Sequence, residues 1–272
     1  MPAVELEAIT FSYPGGPRAL EDVNLAVEPG KSVAIMGQNG AGKTTLIKMI
    51  NGLLRPDKGQ VRLEGEDIRH TSTARLSRKV GFVFQDPRTQ IFLDAVEAEV
   101  AFGPQKIGMT QAQIKARLDY ALELTGLSSQ RGSHPYELSP SDRKLLSIAS
   151  ILSMDPLILI LDEPTASLDT AATEIVVRII EAFLSVGKTV IAATHDVGFA
   201  ARCFERAVIL HRGKIAVEGP THQIFSQHDL LADTALEPTA ISLLAGACNL
   251  PRTLLTVPEI AEFLMKKQHD VA

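Results

Sequence analysis

The chain has 272 residues, of which 45% are hydrophobic and 22% are charged, with a formal net charge of −5. This composition predicts a globular protein with one substantial core, and the acidic balance gives no global reason to expect nucleic acid as the partner. A local basic patch stays open. The two cysteines, Cys203 and Cys248, lie far apart, which excludes a disulfide framework and suits a reducing compartment.

Membrane and export signals are the next features that the sequence excludes. No apolar run approaches the roughly 20 residues that a membrane-spanning helix needs. Residues 1–7 lack the basic start and apolar stretch of a signal peptide. We therefore expect a cytoplasmic protein, which is still able to dock on an integral membrane protein.

The amino-terminal part of the chain is rich in strand patterns. Residues 4–35 alternate apolar and polar positions between turn signals, which predicts short strands of a mainly antiparallel sheet. The apolar run 32–36 predicts a buried strand. A further strand pair is predicted at 60–63 and 79–84, after a helix that starts near residue 43.

The rest of the chain changes from helical to alternating patterns. Apolar positions at helical spacing from 110 to 153 predict a helical insertion of about 105–153 in an α/β core. Strands then alternate with helices, which is typical of a parallel sheet. The predicted strands are 157–161, 189–193 and 207–210, and the predicted helices are 171–184 and 197–203.

A composition shift after residue 220 suggests a domain boundary. Prolines then break short apolar clusters, and 259–267 is a candidate terminal helix. We predict an α/β domain over 1–220 and a small helical appendage over 221–272.

A glycine-rich loop after the strand 32–36 fits the pattern Gly-x-x-x-x-Gly-Lys-Thr. Glycines let such a loop curl so that backbone N–H groups point at phosphate oxygens near a helix N-terminus. Lys43 would reach the β- and γ-phosphates, and the Thr44 hydroxyl would ligate Mg²⁺. The predicted ATP-binding residues here are Gly37, Gln38, Asn39, Gly40, Ala41, Gly42, Lys43, Thr44 and Thr45.

Polar residues follow the predicted strands of the sheet. Asp162 and Glu163 end the apolar run 157–161, and paired carboxylates are costly at a buried strand end. Magnesium and a nucleotide would relieve that cost, with Asp162 holding the ion and Glu163 polarising the attacking water. His195 follows the strand 189–193, at the edge where open α/β sheets bind ligands, and Gln85 similarly follows 79–84.

Together these motifs resemble the nucleotide-binding subunit of an ATP-binding cassette (ABC) transporter, over about residues 4–220. The resemblance implies a P-loop NTPase fold and implies roles for the residues that match. Tyr13 matches the aromatic that stacks on adenine, and residues 37–44 match the Walker A loop. Gln85 matches the Q-loop glutamine that also reaches Mg²⁺, and Ser139 matches the signature serine. Asp162 and Glu163 match the Walker B pair with its catalytic glutamate, Asp169 matches the D-loop aspartate, and His195 matches the switch histidine.

Within the superfamily, segments 82–87, 90–92 and 100–104 are similar to the energy-coupling-factor group and its cobalt or nickel relatives, as is the tail after residue 236. The resemblance implies an ATP hydrolase on the cytoplasmic face of the membrane that drives uptake of a vitamin or a transition-metal ion. It also implies an integral membrane partner, for which segment 84–104 is the predicted contact. An ordinary loop packed on the helical insertion is the alternative for that segment.

The signature motif departs from the family pattern Leu-Ser-Gly-Gly-Gln. This chain has Leu-Ser-Pro-Ser-Asp at 138–142. Pro140 removes an N–H donor, Ser141 adds a side chain, and Asp142 brings negative charge toward the γ-phosphate of the opposite cassette. Arg143 and Lys144 are candidates to offset that charge, and Ser139 followed by proline predicts a helix cap. The hypothesis is that this chain pairs with a second, different cassette.

Two other function classes are open at this point. A soluble, non-transport ABC ATPase of translation or DNA repair usually joins two cassettes or carries a long coiled coil, and 272 residues hold neither. An ATP sensor without hydrolysis is disfavoured because Lys43, Asp162, Glu163 and His195 are all present.

Overall fold

The computed structural model describes residues 1–251 and 253–269. Its strands are, in chain order, β1 Val4–Ser12, β2 Arg18–Val27, β3 Ser32–Met36, β4 Lys58–Leu63, β5 Glu66–Asp67, β6 Val80–Val83, β7 Ile158–Asp162, β8 Thr189–Thr194, β9 Arg206–His211 and β10 Lys214–Pro220. Its helices are α1 Lys43–Ile50, α2 Thr73–Leu76, α3 Val96–Lys106, α4 Gln111–Thr125, α5 Pro140–Leu152, α6 Thr170–Ser185, α7 Val197–Cys203, α8 Thr221–Phe225, α9 His228–Asp233, α10 Ala240–Ala247 and α11 Val257–His269.

The larger sheet has the order β10-β9-β3-β8-β7-β6, and all its pairings are parallel except that of β10 with β9. Strands β3, β7 and β8 are buried along their whole length, as expected for parallel strands covered on both faces. Along β7, Ile158 and Ile160 pack into one hydrophobic cluster, whereas Leu159 and Leu161 pack into another. The predicted parallel sheet is confirmed.

The smaller sheet is antiparallel, with the order β2-β1-β4-β5. Two sequence expectations about strand partners are corrected here. Strand β3 belongs to the parallel sheet rather than to the antiparallel one, and β4 and β6, which were predicted as a pair, lie in different sheets. Alternation of apolar residues reveals a strand but not its neighbour, which is chosen by packing between distant segments.

The helices α3, α4 and α5 pack on one another beside β6. Helix α4 begins at a capping box. The Thr110 side chain accepts from the N–H of Gln113, and the Gln113 side chain accepts from the N–H of Thr110. Helix α5 begins at Ser139, whose hydroxyl accepts from the N–H of Asp142 at 3.0 Å. The predicted cap at Ser139 is confirmed, and α3 extends the helical region back to Val96.

The tail 221–269 is helical, and α11 contains the predicted terminal helix 259–267. Positions 252 and 270–272 of the predicted appendage lie outside the described residues. Phe225, Leu231, Leu236 and Leu255 are buried in the same hydrophobic cluster as the sheet residues Leu159 and Leu161. The tail therefore shares the core of the rest of the chain. No helix in the described part of the chain is long and apolar enough to cross a membrane.

Replacing Phe225 by Ala tests whether the tail is energetically part of this core. Phe225 is fully buried, so the loss of its ring should lower the free energy of unfolding by about 3–5 kcal/mol. Phe92→Ala is the matched control, because Phe92 is 62% exposed and its loss should cost less than about 1 kcal/mol. Urea unfolding measures both; equal, small effects would mean that the tail folds independently.

Candidate functional site

The glycine-rich loop joins β3 to α1 at the carboxyl edge of the parallel sheet. Gly37 has φ +144°, and a Cβ at this position would overlap the carbonyl oxygen of Leu210. Gly42 precedes the first residue of α1 with φ +105°. Glycine is the residue that tolerates a positive φ and so close a backbone neighbour. The loop therefore keeps the curved conformation that presents backbone N–H groups at the start of α1.

Lys43 and Glu163 form a buried ion pair below this loop. Their side chains are 6% and 8% exposed, and Lys43 Nζ lies 3.4 Å from Glu163 Oε1. The same ammonium donates to the carbonyl oxygen of Gly37 at 2.8 Å. The other carboxylate oxygen, Oε2, lies 2.9 Å from Nδ1 of His195. Glu163 is thus held between a cation and an imidazole, in the arrangement expected of a carboxylate that acts on a bound water.

Glu163 has an uncommon backbone conformation. Its φ is +43°, in the left-handed region, and its N–H donates to the carbonyl oxygen of Ala193 on β8 at 2.8 Å. A non-glycine residue in this region is strained, and such strain is common where a side chain is held for function. The bend directs Glu163 toward His195, which follows β8.

Asp162 and Thr44 bring two side-chain oxygen atoms together. The Thr44 hydroxyl donates to Asp162 Oδ1 at 3.0 Å, and Asp162 is 3% exposed. Burial raises the pKa of Asp162, and the hydrogen bond from Thr44 opposes that shift. A hydroxyl and a carboxylate oxygen suit Mg²⁺, which binds a few protein oxygens and fills its octahedron with water and phosphate oxygens. We propose that these residues, with Gln85, hold Mg²⁺ together with the nucleotide.

A cleft of about 440 Å³ brings most predicted site residues together. Tyr13 borders it with a ring 44% exposed, and its hydroxyl lies 3.1 Å from Thr45 Oγ1. We propose that Tyr13, exposed at this position, stacks on adenine. The other predicted residues in the lining are Gln38, Asn39, Gly40, Ala41, Gly42, Lys43, Thr44, Gln85 and Glu163.

The signature residues lie elsewhere, at the start of α5. The Ser139 hydroxyl donates to Asp142 Oδ2 at 2.9 Å while it accepts from the N–H of the same residue. Ser141 donates to Asp169 Oδ2 at 3.1 Å. Asp169 caps α6 by accepting from the N–H of Ala172, and that bond, followed by the one from Ser141, lowers its pKa. The polar groups at the start of α5 are therefore bonded within the chain.

In the described part of the chain neither Arg143 nor Lys144 forms an ion pair with Asp142, so the predicted offset of its charge does not act through a direct contact. Arg143 donates to the carbonyl oxygens of Pro135, Tyr136 and Leu138. Lys144 is 2% exposed and reaches the opposite side of α5, where it contacts the Q-loop. Side chains of adjacent helical residues diverge by about 100°, so neighbours in sequence do not share a face.

Lys144 and Gln90 are residues at this site whose contacts sequence reasoning missed. Burial lowers the pKa of Lys144 to about 8, and the nearby carboxylates of Asp162, Glu163 and Asp86 oppose the shift. Its ammonium group lies among three carbonyl oxygens, which suit its three N–H donors. The available sequence signal was its place among the buried apolar positions of α5, where a lone cation needs a buried partner.

Replacing Glu163 by Gln should abolish ATP turnover and preserve ATP binding. The amide keeps the shape but cannot accept a proton, so kcat should fall by about 10²-fold or more. Glu205→Gln is the control, because that carboxylate is 70% exposed and forms a surface ion pair with Lys31, away from the cleft. ATPase rates and nucleotide binding to the purified full chain, with the partners that copurify, measure both effects. Unchanged turnover in the Glu163 variant would remove it from the catalytic role.

Comparison with known proteins supports this geometry. Residues 20–166 match the ABC transporter family. A putative ABC transporter ATP-binding protein of Methanosarcina acetivorans is 41% identical over 97% of this chain and 44% of its own length, so the chain spans less than half of that relative. The energy-coupling factor transporter ATP-binding protein EcfA2 of Methanospirillum hungatei is 36% identical over 96% of this chain and 68% of its length. The cobalt import ATP-binding protein CbiO of Rhodobacter capsulatus is 38% identical over 90% of this chain and 88% of its own length.

Solved structures give the same assignment. The structure of cbiO1 from Clostridium perfringens, part of the ABC transporter complex cbiONQ, aligns with a TM-score of 0.77 and 28% identity over 92% of this chain and 99% of its own. The cassette MJ0796, in a dimeric post-hydrolysis state with ADP and Pi, aligns with a TM-score of 0.73 and 29% identity over 80% of this chain and 98% of its own. The chain belongs to the ABC transporter family. It is an ATP-hydrolysing cassette that is similar to energy-coupling-factor and cobalt-import subunits.

Proposed function

We propose that this chain is the ATP-binding and hydrolysing subunit of an energy-coupling-factor type importer, and that it works beside a second, different cassette. The cargo would be a vitamin or a transition-metal ion such as cobalt or nickel. The observation that carries the pairing is the Ser139 hydroxyl, which is bonded to Asp142 of its own helix. The names of the relatives support the importer class.

The ATP site of this chain has the groups that hydrolysis requires. Lys43 and the N–H groups at the start of α1 would bind phosphates, and Thr44 with Asp162 would hold Mg²⁺, which would neutralise phosphate charge. Glu163 orients and deprotonates the attacking water, with His195 fixing its second oxygen. A non-hydrolysing sensor would not need this carboxylate and imidazole in contact.

The signature of this chain is a poor receptor for the γ-phosphate of a partner. In the family arrangement two cassettes pack head to tail, and each signature closes over the ATP of the other. Here Pro140 has no N–H, the Ser139 hydroxyl donates to Asp142, and the Asp142 carboxylate would repel a phosphate. A second cassette with an intact signature would complete the site at residues 37–44, while the opposite site stays weak.

A surface beside the Q-loop suits the membrane component. Phe92 is 62% exposed and packs edge-on against Phe102, and Lys106 Nζ lies 5.1 Å above the Phe102 ring. Arg88, with a side chain 71% exposed, stands on the same segment. Exposed aromatic residues and arginines are enriched at protein interfaces. We assign this surface to an integral membrane partner, which places the chain peripherally on the cytoplasmic face of the membrane.

Purification of the tagged chain from its native cells in mild detergent tests the proposal. Mass spectrometry should identify integral membrane proteins and a second cassette with an intact signature among the proteins that copurify. A variant with Phe92→Asp should lose the membrane proteins and keep the second cassette, because the charge disrupts only the Q-loop surface. Ribosomal or DNA-repair partners in place of membrane proteins would support the soluble, non-transport class and contradict the importer.

Restoring the family signature tests the pairing. In a Glu163→Gln background, which retains ATP, the native signature should leave the chain monomeric by light scattering. The triple change Pro140→Gly, Ser141→Gly and Asp142→Gln should produce an ATP-dependent homodimer, because each signature then accepts the partner's γ-phosphate. The same triple change with Lys43→Ala, which removes phosphate binding, is the control and should stay monomeric. An unmodified chain that dimerises with ATP and hydrolyses it briskly alone would contradict a required second cassette.

A further inference from the structure

Lys144 makes a set of buried contacts that ATP binding and the signature do not explain. It lies in the second turn of α5 and is 2% exposed. Its Nζ donates to the carbonyl oxygens of Phe84 at 2.7 Å and Gln85 at 3.0 Å, and lies 3.4 Å from that of Asp162. An ammonium group has three N–H donors, so three backbone carbonyls satisfy it completely.

These contacts join three parts of the catalytic machinery. Lys144 belongs to the helix that begins at the signature residue Ser139. Phe84 and Gln85 follow β6 and form the start of the Q-loop, while Asp162 ends β7. Strands β6 and β7 are neighbours in the sheet, but their last hydrogen-bonded register pair is Val83 with Leu161. The backbone beyond that pair is held to α5 by the Lys144 ammonium.

Gln90 makes a second connection between the same two segments. Its Oε1 accepts from the N–H of Phe84 at 3.2 Å. Its Nε2 donates to the carbonyl oxygen of Ser147 at 2.6 Å and to Ser150 Oγ at 2.9 Å, both on α5. The start of the Q-loop is thus bonded to α5 at Lys144, Ser147 and Ser150, over nearly two turns of the helix.

We propose that Lys144, assisted by Gln90, is a positioning residue for ATP hydrolysis. It carries the position of the signature helix to Gln85 and Asp162, so that the Q-loop and the end of β7 move with α5. Lys144 does not touch the nucleotide cleft, whose lining includes Gln85 and Glu163 but not the lysine. The inference depends on the ATP hydrolysis of this family and not on the proposed cargo or on the second cassette.

Lys144→Met separates positioning from nucleotide binding. Methionine keeps the length of the chain but removes the donors, so the ends of β6 and β7 lose their shared anchor. Because small displacements of catalytic groups are costly, kcat should fall by about 10- to 100-fold. The residues that bind phosphate keep their own contacts, so the Kd for ATP without Mg²⁺ and the KM for MgATP should each change by less than about threefold.

Ser153→Ala is the matched control for the loss of a buried polar group at the C-terminal cap of α5. Ser153 is fully buried, and its hydroxyl donates to the carbonyl oxygen of Val100 on α3 rather than to the Q-loop. It should lower thermal stability and leave kcat within about twofold of the parent. Hydrogen exchange gives a structural readout: Lys144→Met should accelerate exchange in 84–92, whereas Ser153→Ala should not.

The measurements are made on the full chain with the partners that copurify, at a temperature where each variant is folded by circular dichroism. A folded Lys144→Met protein with kcat within twofold of the parent would overturn the proposal, as would equal losses of kcat and ATP affinity. If this variant does not fold, Gln90→Ala decides, with an expected fall in kcat of about 3- to 10-fold at unchanged ATP affinity. Failure to recover membrane partners would contradict the importer proposal without changing the interpretation of these variants.

Discussion

Buried charge at the carboxyl edge of the parallel sheet is the constraint on which this site depends. Lys43, Lys144, Asp162 and Glu163 are all buried. Unpaired charges at this depth would be prohibitive, so the fold surrounds each with a partner. Lys43 contacts Glu163, Lys144 is enclosed by carbonyl oxygens, and Asp162 accepts from Thr44. The same pairing holds these groups, including the proposed catalytic Glu163, together at one edge of the sheet.

Helix α5 has separate functions at its beginning and in its second turn. At its beginning the signature residues bond within the chain, Ser139 to Asp142 and Ser141 to Asp169. One turn later Lys144 holds the Q-loop and the end of β7. Under the proposed pairing, the signature would make a weaker contact with the ATP of a partner, while Lys144 keeps α5 connected to the Q-loop and to the end of β7.

The tail adds a structural contribution that does not involve the nucleotide. Phe225 and Leu231 are fully buried in the hydrophobic cluster that also contains side chains of β7 and β8. Asp162 is the last residue of β7, and His195 directly follows β8. Packing density transmits small shifts through such a core, so the tail helps to hold the strand ends on which the site stands.

The sequence by itself determined the local features: the loop at 37–44, the acidic pair after an apolar strand, the order of strands and helices after residue 157, and the cap at Ser139. Each of these depends on residues close together in the chain, where periodicity and turn chemistry act. Only the tertiary structure decided that β4 and β6 lie in different sheets and that Lys144 faces the Q-loop rather than Asp142. Those outcomes depend on long-range packing and on which side of a helix is buried, and the pattern of one segment alone does not contain that information.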